Sequence, residues 1–393
     1  MIIPRILSSS IKKSAKKNPI IGLLGPRQSG KTTLAKSMFP KYDYVNLELP
    51  DNLRFASEDP RGFLNRYSKY VILDEVQRVP QIFSYLQVKT DQDKINGQYI
   101  LTGSQHFLML GSISQSLAGR ISIFNLYPFS YQELKKNRLA KKNLHHQIWL
   151  GGYPRIYTQK VNPIEWHNNY IKTYLEKDIN LISKIDNLST FDKFLRLAAG
   201  RTGQLLNLST LASDIGVTHN TIKSWIDLLE TSGLIKLLQP YFTNINKRLT
   251  KTPKLYFLDT GLVCRLLGIN SPQELSLHSQ IGAIFETFLV SETYKSLANN
   301  NSPIVPYFWR DRTGLEADML LESGTKINLY EIKSAQTIHQ NPFTKLKLIK
   351  NYLPKPTKLH LLYGGDDSQN RTNGQILSWQ DFLSDPTTSW ISS

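Results

Sequence analysis

The sequence predicts an α/β chain in three parts. These are a three-layer phosphate-loop domain over residues 1–155, a helical segment with a winged helix over 156–262, and a further α/β domain over 263–393. Three stretches predict it. GPRQSGKT follows an apolar run and opens a helical pattern. LASDIGVTHNTIKSWIDLL holds two amphipathic helices about a glycine. LEADMLLESGTKINLYEIK alternates on both sides of a short turn.

Composition bounds the rest. At 393 residues the chain can bury more than one core. Forty per cent hydrophobic and 10% aromatic residues exclude a disordered polymer. The formal net charge of +17 and a pI near 9.6 predict attraction to polyanions, either nucleic acid or nucleotide. The single cysteine, Cys264, excludes an internal disulfide and a cysteine zinc cluster. A reducing, cytoplasmic setting is therefore expected. The opening MIIPRILSSSIKKSAKKN is basic but has no continuous apolar run. IIGLLG is too short to span a bilayer, so no membrane association is expected.

In the first part, Gly25 to Thr32 match the G-x-x-x-x-G-K-T phosphate loop between a strand and a helix. The expected nucleotide contacts are Gly25, Pro26, Arg27, Gln28, Ser29, Gly30, Lys31, Thr32 and Thr33. Glycines let backbone N–H groups close on phosphates, and the helix start adds positive charge. Lys31 would reach the β- and γ-phosphates and Thr32 would hold Mg²⁺. YDYVNLELPD reads as a second strand. KYVILDEVQ is a buried strand ending in acids: Asp74 would hold Mg²⁺ through water and Glu75 would polarise the attacking water. After the strand GQYILTGSQ, Thr102 and Gln105 are candidate γ-phosphate sensors. Arg120, after SLAG, is a candidate arginine finger, acting in cis or from a neighbouring subunit. This order of strands predicts a parallel sheet with helices on both faces.

GPRQSGKTTL, YVILDEVQ, ILTGSQ, SLAGR and GGYPRIY together resemble the AAA-type ATPases. The resemblance is to the prokaryotic group with an N-terminal ATPase and a conserved C-terminal domain. It implies ATP binding and hydrolysis with ATP and Mg²⁺ as cofactors, and names no substrate.

In the middle part, Leu208, Leu211, Ala212 and Ile215 give one apolar helix face. Gly216 turns the chain. Thr218 caps a second helix, whose Ile222, Trp225, Ile226 and Leu229 face the core. A helix-turn-helix with a β-wing follows. One reading sets His219, Asn220, Lys223 and Ser224 in a DNA major groove. The other uses the winged helix as a lid or for protein contact. TNINKRLTKTPK gathers Lys247, Arg248, Lys251 and Lys254, a basic wing suited to phosphates. KLYFLDTG then reads as a strand leading into a helix.

In the last part, SQIGAIFETFLVSETYKSL is a helix whose apolar stripe Glu286 interrupts. With Gly324 and Thr325 as a two-residue turn, opposed residues of the hairpin sum to 649, so Asp318 faces Glu331, with Lys333 and Glu316 on the same face. A three-residue loop would put Asp318 on the other face. Opposed acids need a positive group between them, and a divalent metal would serve. The stretch resembles the PD-(D/E)xK restriction-endonuclease-like fold, with Ala317 where the family's pattern has proline. The resemblance carries Glu286, Asp318 and Glu331 as metal ligands and Lys333 as a catalytic residue. If active, the site would cut a phosphodiester with a metal-activated water.

Together these readings predict an ATPase that acts on DNA, its hydrolysis coupled to a nuclease-like domain. The alternative is an ATP-gated DNA- or protein-binding switch whose nuclease-like domain is inactive. A third reading is an ATP-driven remodeller of a protein partner. A finger arginine acting in trans would require a homo-oligomer.

Overall fold

Five short strands build the first sheet: β1 (Ile20–Leu24), β2 (Asp43–Asn46), β3 (Val71–Asp74), β4 (Tyr99–Gly103) and β5 (Ile121–Asn125). They run parallel in the order β2-β3-β4-β1-β5. Alternation sends Ile21, Leu23, Ile72 and Ile100 to one face. There Ile11 of α1 (Ser8–Ala15) and Leu34 and Ala35 of α2 (Lys31–Met38) cover them. Ile20, Leu24, Val71, Leu73, Tyr99 and Leu101 take the other face, against Phe63, Leu64 and α3 (Ile82–Asp93). At the central strands β1, β3 and β4 both faces are dry, which explains their reading as continuous apolar runs. The order also brings the carboxyl ends of β1, β3 and β4 side by side.

The computed structural model describes residues 2–103, 117–174, 188–241 and 251–384. These fall into two units, the first drawn chiefly from the chain up to Phe129, the second from Ser130 onward. Gln105, Lys247 and Arg248 lie outside the described residues. Among the described residues no helix is long and apolar enough to cross a membrane.

In the second unit, β6 (Gln204–Leu205) precedes α4 (Leu208–Ile215) and α5 (His219–Thr231). Gly216 takes a left-handed φ of 84° at the turn. The Thr218 hydroxyl accepts from the Thr221 N–H at 3.1 Å and so starts α5. The expected stripe of Ile222, Trp225, Ile226 and Leu229 is buried, with Trp225 5.1 Å from both Phe191 and Phe194. β7 (Ile235–Pro240) and β8 (Lys254–Phe257) follow as an antiparallel pair, with β6 on the other side of β8.

The sheet does not stop there. β7 runs parallel to β9 (Pro306–Arg310), which pairs with β10 (Glu316–Ser323). β10 forms a hairpin with β11 (Lys326–Lys333), and β12 (Thr357–Tyr363), β13 (Gln369–Arg371) and β14 (Gly374–Ser378) complete nine strands. Helices α6 (Ile281–Asn299) and α7 (Thr344–Lys350) precede β9 and β12 respectively. One sheet thus runs through the segments expected as the middle and last domains. The hairpin has the expected register: Met319 opposes Tyr330 and Ser323 opposes Lys326, with Gly324 at φ 54° in the turn. The β9–β10 register shifts between Ala317 and Leu320, so Asp318 sits at an irregularity in its strand.

Candidate functional site

The phosphate loop is shaped by two glycines. Gly25 has φ 151°, and a Cβ there would lie 2.1 Å from the Leu126 carbonyl oxygen. Gly30, at φ 96°, turns the loop into the first turn of α2. Gln28 takes φ 60°, a conformation non-glycine residues keep only under constraint. Lys31 is buried, and its Nζ donates to the carbonyls of Gly25 and Pro26, both at 2.9 Å. The ammonium therefore lies folded over the loop. Ser29 is fully buried, and Thr33 follows in α2.

Asp74 is where the sheet ends meet. The Thr32 hydroxyl donates to its Oδ2 and Oδ1 at 2.9 and 3.1 Å, and the Tyr44 hydroxyl donates to Oδ2 at 2.7 Å. The Thr102 hydroxyl also donates to Asp74. The expected acid, its threonine and one candidate sensor are thus in direct contact. A hydroxyl and a carboxylate are hard oxygen donors of the kind Mg²⁺ takes, so the donor set fits that ion. Glu75, next to it, has a left-handed φ of 58°. Burial raises its carboxyl above the ordinary range, against the opposing pull of Lys31, the Gln77 hydrogen bond and Arg27.

Two contributors escape motif reading. Arg5 is 7% exposed, and it donates to the Ser29 carbonyl at 3.0 Å and the Tyr127 carbonyl at 2.6 Å. It ties the loop to the chain after β5. The only local signal is an arginine amid the apolar residues of MIIPRIL. Tyr44 is the other; burial, then its bond to Asp74, raises its hydroxyl above the ordinary tyrosine value.

Arg120 lies away from the loop. It precedes β5, whose Ile121 pairs with Ile20 at the amino end of β1, whereas the loop leaves β1 after Leu24. The two ends of β1 are roughly 13 Å apart at about 3.3 Å per residue. The guanidinium lies against Asp91 on α3, at 2.5 and 2.7 Å. This placement sets Arg120 away from the phosphate loop of its own chain.

In the second unit the four residues carried from the nuclease pattern do converge, together with a lysine not expected there. Asp318 and Glu331 are buried, and the Ile332 N–H donates to Asp318 Oδ2 at 2.7 Å. Burial, then Glu286 and Glu331, raises the Asp318 carboxyl well above the ordinary range. Lys333 Nζ is 2.6 Å from Glu331 Oε1 and Lys345 Nζ is 3.5 Å from it, while Glu331 Oε2 is buried without a hydrogen-bond partner. Lys254 is the surprise. Expected on a basic wing, it is 3% exposed, with Nζ 3.0 Å from Glu286 Oε1 and 2.6 Å from Glu316 Oε1. The Tyr256 hydroxyl donates to Glu286 Oε1 at 2.5 Å. Burial opposes the Lys254 charge, yet Glu286, Asp318 and Glu316 hold its pKa above the ordinary value. It is therefore not available to phosphates. Among the described residues no three His, Cys, Asp or Glu side chains stand in an arrangement that could hold a metal ion. The acid centre as folded does not fit the expected metal set of Glu286, Asp318 and Glu331, because Glu286 is taken by an ammonium and a phenol.

On α5, His219, Asn220, Lys223 and Ser224 are all exposed, as is Lys251 before β8. GGYP and LDTG dock on each other: the Gly152 N–H donates to Asp259 Oδ2 at 2.7 Å, and the Thr260 hydroxyl to the Ile148 carbonyl at 2.8 Å.

Three family models match the chain. Residues 17–135 match an AAA domain, and residues 141–273 and 281–382 match two domains of unknown function, DUF8612 and DUF4143. The first unit thus carries an AAA-type ATPase domain. The uncharacterized protein Rv2008c of Mycobacterium tuberculosis is 30% identical over 343 residues, which is 86% of this chain and 75% of that protein. The uncharacterized protein MJ1637 of Methanocaldococcus jannaschii is 25% identical over 299 residues, 62% of this chain and 61% of that protein. Among solved structures, a Walker-type ATPase of Pyrococcus abyssi matches 66% of this chain and 94% of its own, at 16% identity and a TM-score of 0.44.

Proposed function

We propose that this chain, which belongs to the family of the uncharacterized protein Rv2008c of Mycobacterium tuberculosis, hydrolyses ATP to act on DNA and couples the hydrolysis to its nuclease-like C-terminal domain. The observation that carries the ATPase half is the Thr32–Asp74 contact beneath a folded-over Lys31. Bound MgATP supplies the transferable phosphoryl group. The loop's backbone cradles phosphates, Lys31 reaches their oxygens, and Thr32 and Asp74 are the donors for the cation. Glu75 stands at the strand end as acceptor for a proton of the attacking water.

The DNA half is supported by the +17 charge and by the exposed His219, Asn220, Lys223 and Ser224 on α5. α4 and α5 flanked by β6, β7 and β8 have the order of a winged helix. The run α6, β9, β10, β11, α7, β12, with β11 and β12 parallel, supports the restriction-endonuclease-like reading of the last segment.

A second reading has its own observation. Lys254 occupying Glu286 and Glu316 favours a switch that binds DNA or protein under ATP control without cutting. Phosphate release with and without DNA, by wild type, Lys31→Ala and Asp318→Ala, tests the proposal. DNA stimulation that Lys31→Ala abolishes supports it. An ATPase indifferent to DNA sinks the DNA half. Plasmid nicking in Mn²⁺ that Asp318→Ala removes separates the nuclease from the switch.

A further inference from the structure

We propose that Lys254 is the resident cation of the C-terminal acid centre, and that its ammonium keeps divalent ions out. The centre gathers Glu286 from α6, Glu316 and Asp318 from β10, and Glu331 from β11. Like charges so close need a counter-charge. Lys254 supplies it from β8, a strand of the preceding segment, contacting Glu286 and Glu316 at 3.0 and 2.6 Å. Around it the other acids are engaged as well. Arg310 Nη1 is 2.6 Å from Glu316 Oε2, and Lys333 Nζ is 2.6 Å from Glu331 Oε1.

The contact is built into the fold. Lys254 is 3% exposed, and its backbone pairs with Leu238 of β7 and Leu205 of β6. Phe308 lies beneath the ammonium, with its ring centre 5.6 Å from Nζ. Tyr256, two residues on, donates to the same Glu286 oxygen and fixes that carboxylate toward β8. A surface lysine samples many rotamers; this one has one buried place and two carboxylates waiting there. A divalent ion that took Glu286 would have to displace both the ammonium and the phenol, and would leave a buried, charged lysine with one carboxylate fewer. Glu331 Oε2, buried without a hydrogen-bond partner, marks the position where the centre still has coordinating capacity once the lysine charge is gone.

The inference rests on the acid centre alone and not on the ATPase reading, and its readout is ion binding rather than cleavage. The experiment is a Mn²⁺ titration of the full chain without nucleotide, followed by electron paramagnetic resonance. Wild type is compared with Lys254→Met, Lys254→Gln, Glu331→Gln, and Lys254→Met combined with Glu331→Gln. The expected result is a gain of at least tenfold in Mn²⁺ affinity on removal of the Lys254 charge, lost again with Glu331→Gln. If Lys254→Met does not fold, as judged by its melting curve, Lys254→Gln, of similar length and polar, carries the comparison. Wild type that already binds Mn²⁺ at a place abolished by Glu331→Gln overturns the proposal. So does a folded Lys254 variant with no gain.

Discussion

The Thr32 hydroxyl donates to both carboxylate oxygens of Asp74, at 2.9 and 3.1 Å, and joins the first turn of α2 to the end of β3 across 42 residues of sequence. Lys31, one residue earlier, lies over the loop that Thr32 leaves. Lys31→Ala is expected to lower ATP turnover by about 10²-fold or more, the scale of losing one preorganised charge at a transferring phosphoryl group. Asp74→Asn should act similarly, with the larger share of the loss in Mg²⁺ dependence. Phosphate release over a Mg²⁺ series measures both.

Glu75→Gln should retain nucleotide and lose turnover, by roughly 10²- to 10⁴-fold if Glu75 is the general base. Its pH profile carries a sign. The base acts when ionised, and burial raises its pKa, so the acid limb of kcat should lie above the ordinary glutamate range and turnover should climb with pH through it. A profile whose acid limb is the same in Glu75→Gln would remove Glu75 from the chemistry.

Arg5→Ala should weaken ATP binding more than it slows turnover. The side chain touches loop carbonyls rather than the reacting atoms. Charge-assisted bonds of this kind contribute about 1.5–3 kcal/mol each, so a rise in KM of roughly tenfold or more is expected. Binding of a fluorescent ATP analogue checks it, and an unchanged affinity would count against the anchoring role.

Arg120→Ala should leave ATP affinity unchanged, since the residue stands at the far end of the sheet from the loop. If it serves a neighbouring subunit, mixing Arg120→Ala with Lys31→Ala should restore part of the turnover that either variant lacks. No recovery on mixing, with a turnover defect in Arg120→Ala alone, would exclude the role in trans.

His360 sets an acid limit on the second unit. It is buried between Tyr330, stacked at 4.7 Å, and Asn328, which its Nε2 meets at 3.1 Å. Burial, then Lys358, pushes its pKa down to about 4 from an ordinary 6.5. A depressed pKa means that the unfolded chain takes up the proton first. The stability is complete above pH 6.5 and is lost as pH falls toward 4, on the order of 3 kcal/mol at about 1.4 kcal/mol per unit. Melting temperatures from pH 7 to 4 should fall less steeply in His360→Gln than in wild type.

How much of this was legible depends on the range of the contact. The phosphate loop and the acids after β3 can be read because their chemistry is contiguous. The hairpin register can be read because Gly324 fixes the turn and the side-chain period does the rest. Arg5, Tyr44 and Lys254 were not legible in the same way. Each acts on a residue 24 or more positions away, and only the strand order brings them together. Lys254 misleads most. A lysine beside Lys251 reads as surface because lysine is almost never buried without a partner. Its partners come from α6 and β10, and nothing near residue 254 announces them. Arg120 has a related difficulty: its position after SLAG does not say that it pairs with Asp91 of α3.

The β7–β9 pairing has a practical consequence for anyone who would study the C-terminal segment by itself. A fragment beginning after β8 would present β9 with its hydrogen-bonding edge bare where β7 had been. Its acid centre would also lack the Lys254 ammonium. Such a piece would be prone to recruit strands from its own copies and, on the Lys254 proposal, to take up divalent ions. Metal binding or assembly measured on it would describe the cut, not the protein.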